Sequence, residues 1–337
     1  MKNYIERREF LKYLGGITAG VFASHPLAYG KKDRLGKMLP TRQLGSTGMQ
    51  VTMLGLGGYH IGWTTEKDAA ETIDVAINGG IRFFDTAESY GPHTSEVRYG
   101  KYLVPKYRDD VFIMTKSQAK DAKTAQEHLE GSLRRMDCDY LDLWQIHSIS
   151  SPQDVEERLN NGVLEVFMKA KADGKVKHIG FTGHADPAAH AHMLTMTAGE
   201  KPFATCQMPI NIVDAAYEKS FIETVMPSLI ENNIGALAMK TLADGRFFPK
   251  KVMNGKTRWQ TKDPVIPKRV SVAEALNFAW SLPVSVLITG AEKADMLKEK
   301  IKLAKKFVEM DEEQRQALIT KVGDLAAGQE VEYYKKV

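Results

Sequence analysis

The sequence predicts an α/β protein of the (β/α)8 TIM-barrel class. Eight short apolar runs alternate with segments of helical periodicity, and the first of those helices stops at a glycine pair, Gly79-Gly80. Roughly 250 residues is the usual size of one closed eightfold barrel, and the 337-residue chain leaves room for it after an N-terminal segment of different character.

Val51 to Leu56 is the first strand, followed by a helix over Lys67 to Asn78 with Ala70, Ile73, Ala76 and Ile77 at helical spacing. Ile81 to Phe84 precedes a helix over Ser95 to Leu103, and Val111 to Met114 precedes one over Ala125 to Arg135. Tyr140 to Ile146 leads to a helix over Val155 to Ala172, and Ile179 to Phe181 to a helix after Pro187. Ala204 to Met208 is followed by a helix over Tyr217 to Glu231; Ile234 to Ala238 and Val284 to Ile288 complete the set. Such near-continuous apolar strands suit a parallel sheet covered on its outer face. An open dinucleotide-binding sheet is the competing arrangement, because Gly55-Leu56-Gly57-Gly58 follows a strand. The third fingerprint glycine would fall at His60, however, and no helix starts at once, so the segment reads as a βα loop. The longest irregular stretch, Thr241 to Lys268, is expected to be functional.

Residues 1–30 read as an address. Glu6-Arg7-Arg8-Glu9-Phe10-Leu11-Lys12 precedes the apolar run Tyr13 to Ala23, too short for a comfortable membrane span. The Arg7-Arg8 pair with Phe10-Leu11-Lys12 resembles a twin-arginine (Tat) signal peptide. That resemblance implies the Tat export machinery as a partner, a periplasmic or otherwise exported location, and no stable membrane span after processing. Small residues at Val21–Ala23 and Ala28–Gly30 offer two cleavage points. Residues 38–337 are then the barrel domain.

Composition narrows the chemistry. Formal charge is +4, of which residues 31–337 carry only +2, so no basic footprint for nucleic acid is expected. Two cysteines, Cys138 and Cys206, exclude a disulfide framework and read as small apolar core residues. His184, His190 and His192 lack the i, i+4 spacing of a metal-binding helix; they read as surface or loop histidines, with His184 at the rim of the site, and no metal is expected. Lys298 to Lys306 reads as a helix with a solvated charged face.

In a parallel barrel the reactive groups lie at the C-terminal strand ends. There the second, third and fourth strands deliver Asp85, Lys116 and His147, with Tyr90 five residues beyond Asp85. Taken singly these could be a cap, a loop lysine, a core histidine and a packing aromatic; taken together they form a constellation. Arg42-Gln-Leu-Gly-Ser-Thr-Gly-Met-Gln-Val, Phe84-Asp-Thr-Ala-Glu-Ser-Tyr-Gly, Thr115-Lys116, Asp142-Leu-Trp-Gln-Ile-His147 and Lys177-His-Ile-Gly-Phe-Thr182 resemble the aldo-keto reductase family. The resemblance implies a catalytic tetrad of Tyr90, Asp85, Lys116 and His147 and a nicotinamide cofactor.

Tyr90 would be the acid/base, its high phenol pKa lowered by Lys116, with Asp85 holding Lys116 and His147 orienting the carbonyl. Thr182, Gln207, Met239, Lys240, Leu242, Gly245, Gly290 and Glu299 correspond to cofactor-binding positions, and Tyr59, Trp63 and His184 are expected to wall the substrate pocket. Two departures stand out. Thr182-Gly183 replaces the common Ser-Asn, and Met239 replaces the aromatic that commonly stacks on nicotinamide. After the last strand, Glu292 opposes a 2′-phosphate while Lys293 and Lys300 could compensate, so NADP(H) is expected, with NAD(H) as the alternative. The cysteine-free tail excludes the family's iron-sulfur extension. The expected function is an exported NAD(P)(H)-dependent reductase of a small aldehyde, ketone or keto-sugar. Two alternatives remain open: a keto-sugar isomerase or lyase with self-recycling bound cofactor, and a non-catalytic nicotinamide-binding module that senses redox state.

Overall fold

Eight parallel strands close into a barrel in sequence order: β1 Leu54–Gly57, β2 Phe83–Asp85, β3 Phe112–Ser117, β4 Leu141–Ile146, β5 Val176–Thr182, β6 Thr205–Pro209, β7 Gly235–Met239 and β8 Val286–Thr289. β8 closes on β1 through Leu287↔Leu54 and Ile288↔Gly55. The computed structural model describes residues 27–253, 256–326 and 330–337. The expected signal segment lies outside these residues except for its last four; of these, Ala28 forms a bridge with Thr41.

Side-chain alternation at period two sorts each strand into an inner and an outer face. Phe83, Phe112, Met114, Leu143, Leu237, Val286 and Ile288 form one buried cluster inside the barrel, with Phe83 and Phe112 stacked at 4.8 Å. Leu54, Leu56, Phe84, Ile113, Trp144, Ile179, Cys206 and Ala238 belong to the larger cluster beneath the helices. The glycines of β1 follow from this filling, since a Cβ on Gly55 would sit 2.8 Å from Phe83 Cδ1. They serve packing inside a barrel, not a dinucleotide turn.

Several boundaries differ from the sequence reading. The run Val51 to Leu56 splits: Gln50–Thr52 pairs antiparallel with Thr41–Gln43, and only the remainder enters the barrel. Gly58–Trp63 is a short helix, not a loop. The helix expected over 155–172 is two, Pro152–Asn160 and Val163–Ala172, separated at Gly162 with φ 77, where left-handed backbone favours glycine. Ser220 caps the helix Phe221–Glu231, so Tyr217 precedes it. The stretch 241–268 contains an antiparallel pair, Lys250–Met253 with Lys256–Gln260.

Candidate active site

The same alternation aims the strand-end residues. Asp85 follows Phe83 by two, Lys116 follows Met114, His147 follows Gln145, and Thr182, Gln207 and Met239 take equivalent places on β5, β6 and β7. All are therefore on inward-facing register at the C-terminal mouth. Asp85, Lys116 and His147 are buried.

Lys116 Nζ forms an ion pair with Asp85 and donates hydrogen bonds to Thr86 O (2.8 Å) and Tyr90 Oη (3.2 Å). Because the ammonium donates to Tyr90 Oη, the phenol proton remains available to another acceptor. Tyr90 is held by its turn: its amide donates to Ala87 O and its carbonyl accepts from Ser95 N. Gly62 lies against this turn so closely that a Cβ there would fall 2.9 Å from Tyr90 O. The His147 ring meets Tyr90 edge-on at 5.8 Å, and Tyr59 does so at 5.5 Å from another side.

Burial opposes ionisation throughout the site. It lowers Lys116, but the Asp85 and Tyr90 charges and hydrogen bonds outweigh it and leave the ammonium pKa raised. Burial raises Asp85 against the pull of Lys116. Burial raises the Tyr90 phenol, and Lys116 pulls it down by charge and hydrogen bond as expected; burial is the larger effect and the net shift is upward. Burial, then the Lys116 charge, keep His147 well below the ordinary histidine range, so its imidazole is neutral and retains one N–H donor.

Thr182 and Gln207 are buried register partners across β5 and β6, and Gln207 Oε1 has no partner among the described residues. Met239 and Leu242 are half-buried at the mouth, and Lys240 and Gly245 have φ 54 and 84. The His60 ring covers Gly290, whose added Cβ would lie 2.2 Å from His60 Nδ1. Glu299 stands apart, exposed and paired with Lys302 at 2.8 Å. Trp63 is exposed beside Tyr59, 6.4 Å between rings, and the His184 ring meets Tyr334 at 5.9 Å.

Two sequence readings are corrected nearby. His190 is fully buried in the helix Pro187–Met196, against Phe181 and Phe221, so it is a core residue. Lys300 turns inward from its helix and donates to Gly290 O at 2.6 Å. The sequence reading missed the chain's last residues altogether. Tyr334, Lys335 and Lys336 fold back over the mouth; Lys335 is buried against Asp214 (2.5 Å) and Glu332 (2.6 Å), and Lys336 N donates to Ala185 O. A short charged terminal string has no periodicity that could reveal such a return. Among the described residues, no group of three or more His, Cys, Asp or Glu is arranged to hold a metal ion. No described helix is long and apolar enough to cross a membrane.

The family model for the aldo/keto reductase family matches residues 53–321. The chain belongs to the aldo/keto reductase family. As a member it is an NAD(P)H-dependent oxidoreductase. It is 31% identical to aldo-keto reductase YhdN of Bacillus subtilis over 60% of this chain, spanning 62% of that protein's length. L-galactose dehydrogenase of Arabidopsis thaliana is 28% identical over 69% of this chain and 74% of its own. The barrel superimposes on an aldo-keto reductase from Klebsiella pneumoniae in complex with NADPH with a TM-score of 0.63 and 22% identity, covering 81% of this chain and 92% of that one. That likeness is one of fold.

Proposed function

We propose that this aldo/keto reductase reduces the carbonyl of a small aldehyde, ketone or keto-sugar, with Tyr90 as the proton donor. The observation that carries this reading is Lys116, held between Asp85 and the Tyr90 hydroxyl. Bound nicotinamide supplies the hydride. Tyr90 Oη gives its proton to the developing alkoxide, and the Lys116 ammonium stabilises the phenolate left behind. Neutral His147 donates an N–H to the same oxygen and orients it. The buried, unpartnered Gln207 Oε1 beside Thr182 suits the amino group of a carboxamide, so the residues present fit the cofactor.

NADP(H) is the cofactor proposed, with NAD(H) as the alternative. The NADPH bound by the Klebsiella protein supports the first; Glu292, and Lys300 already engaged by Gly290 O, support the second. Exposed Trp63 beside Tyr59 offers ring faces to a sugar, in keeping with the name of the plant relative. Arg7-Arg8 and the apolar run behind them support export by the twin-arginine route, with the barrel folded around its cofactor beforehand.

Tyr90→Phe tests the chemistry. Carbonyl-dependent NAD(P)H oxidation should fall by about 10²- to 10⁴-fold, with nucleotide affinity retained. A mutant with near wild-type turnover overturns the assignment.

A further inference from the structure

The charges around the mouth are largely matched. Lys116 is paired with Asp85, Lys251 with Asp244 (2.7 Å), and Lys335 with Asp214 and Glu332. Arg246 lies over the Trp259 and Tyr333 rings. Lys240 differs. Its ammonium has neither a hydrogen bond nor an ion pair among the described residues, and rests 4.8 Å from the centroid of the Tyr334 ring.

This position is built. The Lys240 backbone has φ 54, a left-handed conformation costly for a residue with a Cβ. Its carbonyl accepts from Ala243 N (2.8 Å) and Asn211 Nδ2 (3.4 Å). The ring beneath it is fixed too: Tyr334 Oη donates to Glu332 Oε1 (2.7 Å) and accepts from Asn211 Nδ2 (3.2 Å). The His184 ring meets Tyr334 edge-on. His184 Nδ1 and His147 Nδ1 are both buried without a partner among the described residues, and Thr241 Oγ1, next to Lys240 in the chain, is a third such atom. Burial, then the Lys240 charge, hold His184 down to about 4, so its imidazole is neutral at pH 7, and the ring is also hydrogen-bonded to the Tyr334 backbone. An anion entering here meets the Lys240 ammonium and neutral polar groups, with the Asp244–Lys251 pair within electrostatic reach of that ammonium.

We propose that Lys240 binds a carboxylate of the carbonyl substrate, with Tyr334 and His184 fixing the geometry, so that the enzyme prefers anionic aldehydes or ketones over neutral ones. The inference rests on the reading of Tyr90 and His147 as the carbonyl site. The cofactor diphosphate is the other source of negative charge. The substrate is favoured because Lys240 leans on Tyr334 and through it towards His184 at the end of β5, whereas on the β8 side Lys300 is engaged by Gly290 O.

The test compares wild type with Lys240→Met on 4-oxobutanoate and butanal, which differ in the carboxylate. It also measures the affinity of the nucleotide-loaded protein for succinate, a non-reacting probe, by calorimetry, and the affinity of the free protein for NADPH and NADH. Wild type should favour 4-oxobutanoate in kcat/KM. In Lys240→Met that preference should fall by about 10- to 100-fold, as expected for loss of a hydrogen bond to a charged group, and succinate affinity should fall with it. A preference unchanged by the substitution overturns the proposal, as does a loss confined to nucleotide affinity. If neither aldehyde is reduced while succinate binding still depends on Lys240, the carboxylate site at Lys240 stands and it is the carbonyl-reduction reading on which the substrate preference rests that fails.

Discussion

Lys116 has no route to water that its neighbours do not control. Its buried ammonium is kept charged by Asp85, Thr86 O and Tyr90 Oη, and each contact has a separate consequence. Asp85 balances the charge, the carbonyl satisfies a second donor position, and Tyr90 is tied to the cation that, in the proposed reaction, would stabilise its phenolate. The direction of the Tyr90 shift fixes the pH behaviour. Burial raises its pKa above the ordinary phenol value of 10.0, so the proton donor of the proposed reaction would persist through neutral pH and be lost only on the alkaline side. The kcat/KM for reduction should be flat through neutral pH as far as Tyr90 and His147 set it, a profile that reports groups of the free enzyme. His147, neutral well below 6.5, adds no acid limb there. A fall centred near neutrality would show that another group donates the proton. Asp85, Lys116 and His147 were legible at the strand ends and Tyr90 five residues past the first of them; the sign of the tyrosine shift was not, because desolvation depends on what the surrounding loops cover.

At the scale of elements, two close approaches position Tyr90. The short helix Gly58–Trp63 lies against β2 and the turn that follows it. A Cβ on Gly58 would fall 2.4 Å from Asp85 O and 2.7 Å from Ser95 Oγ, and the Ser95 hydroxyl itself donates to Gly58 O at 2.8 Å. Backbone cannot yield cheaply at such a contact. Gly58→Ala should therefore cost about 1–3 kcal/mol, the usual range for overpacking, and should lower kcat by displacing Asp85 and Tyr90. Chemical denaturation and steady-state kinetics check the two effects, and a fully active, equally stable variant would show that the helix can move away. The sequence displayed Gly55-Leu56-Gly57-Gly58 plainly, yet its purpose lay in distant partners: Phe83, Asp85 and Ser95 on one side, Val286 and Ile288 on the other. The helical break at Gly162 was hidden for a similar reason, since apolar periodicity continues on both sides of it.

At the scale of the molecule, the C-terminus closes what the barrel begins. Asp214 accepts from Ser220 Oγ (2.7 Å) and from the amides of Phe221 and Ile222 (3.0 Å each), and its charge is met by Lys335 from 121 positions away. Removing the cation leaves a buried carboxylate exposed to the full cost of desolvation. Lys335→Met should destabilise the fold by about 3–5 kcal/mol, measured by urea unfolding. A change within experimental error would mean that water reaches Asp214 once the tail loosens.

The barrel was legible in the sequence because a covered parallel strand must be apolar along its length and each crossover helix must carry its own periodicity. Those are local demands, written within ten residues. The strand-end positions of Asp85, Lys116 and His147 followed from the same arithmetic, as did Tyr90 from its place five residues past Asp85, whereas Thr182 and Gln207 came from the family resemblance. Only the tertiary structure decided that Lys300 turns inward to Gly290 O, that His190 is core, and that Tyr334 and Lys335 return over the mouth beside Lys240 and Asp214. A charged residue in a sequence reads as solvated until a partner is found for it. Such partners are brought together by closure of the barrel, and no local pattern encodes them.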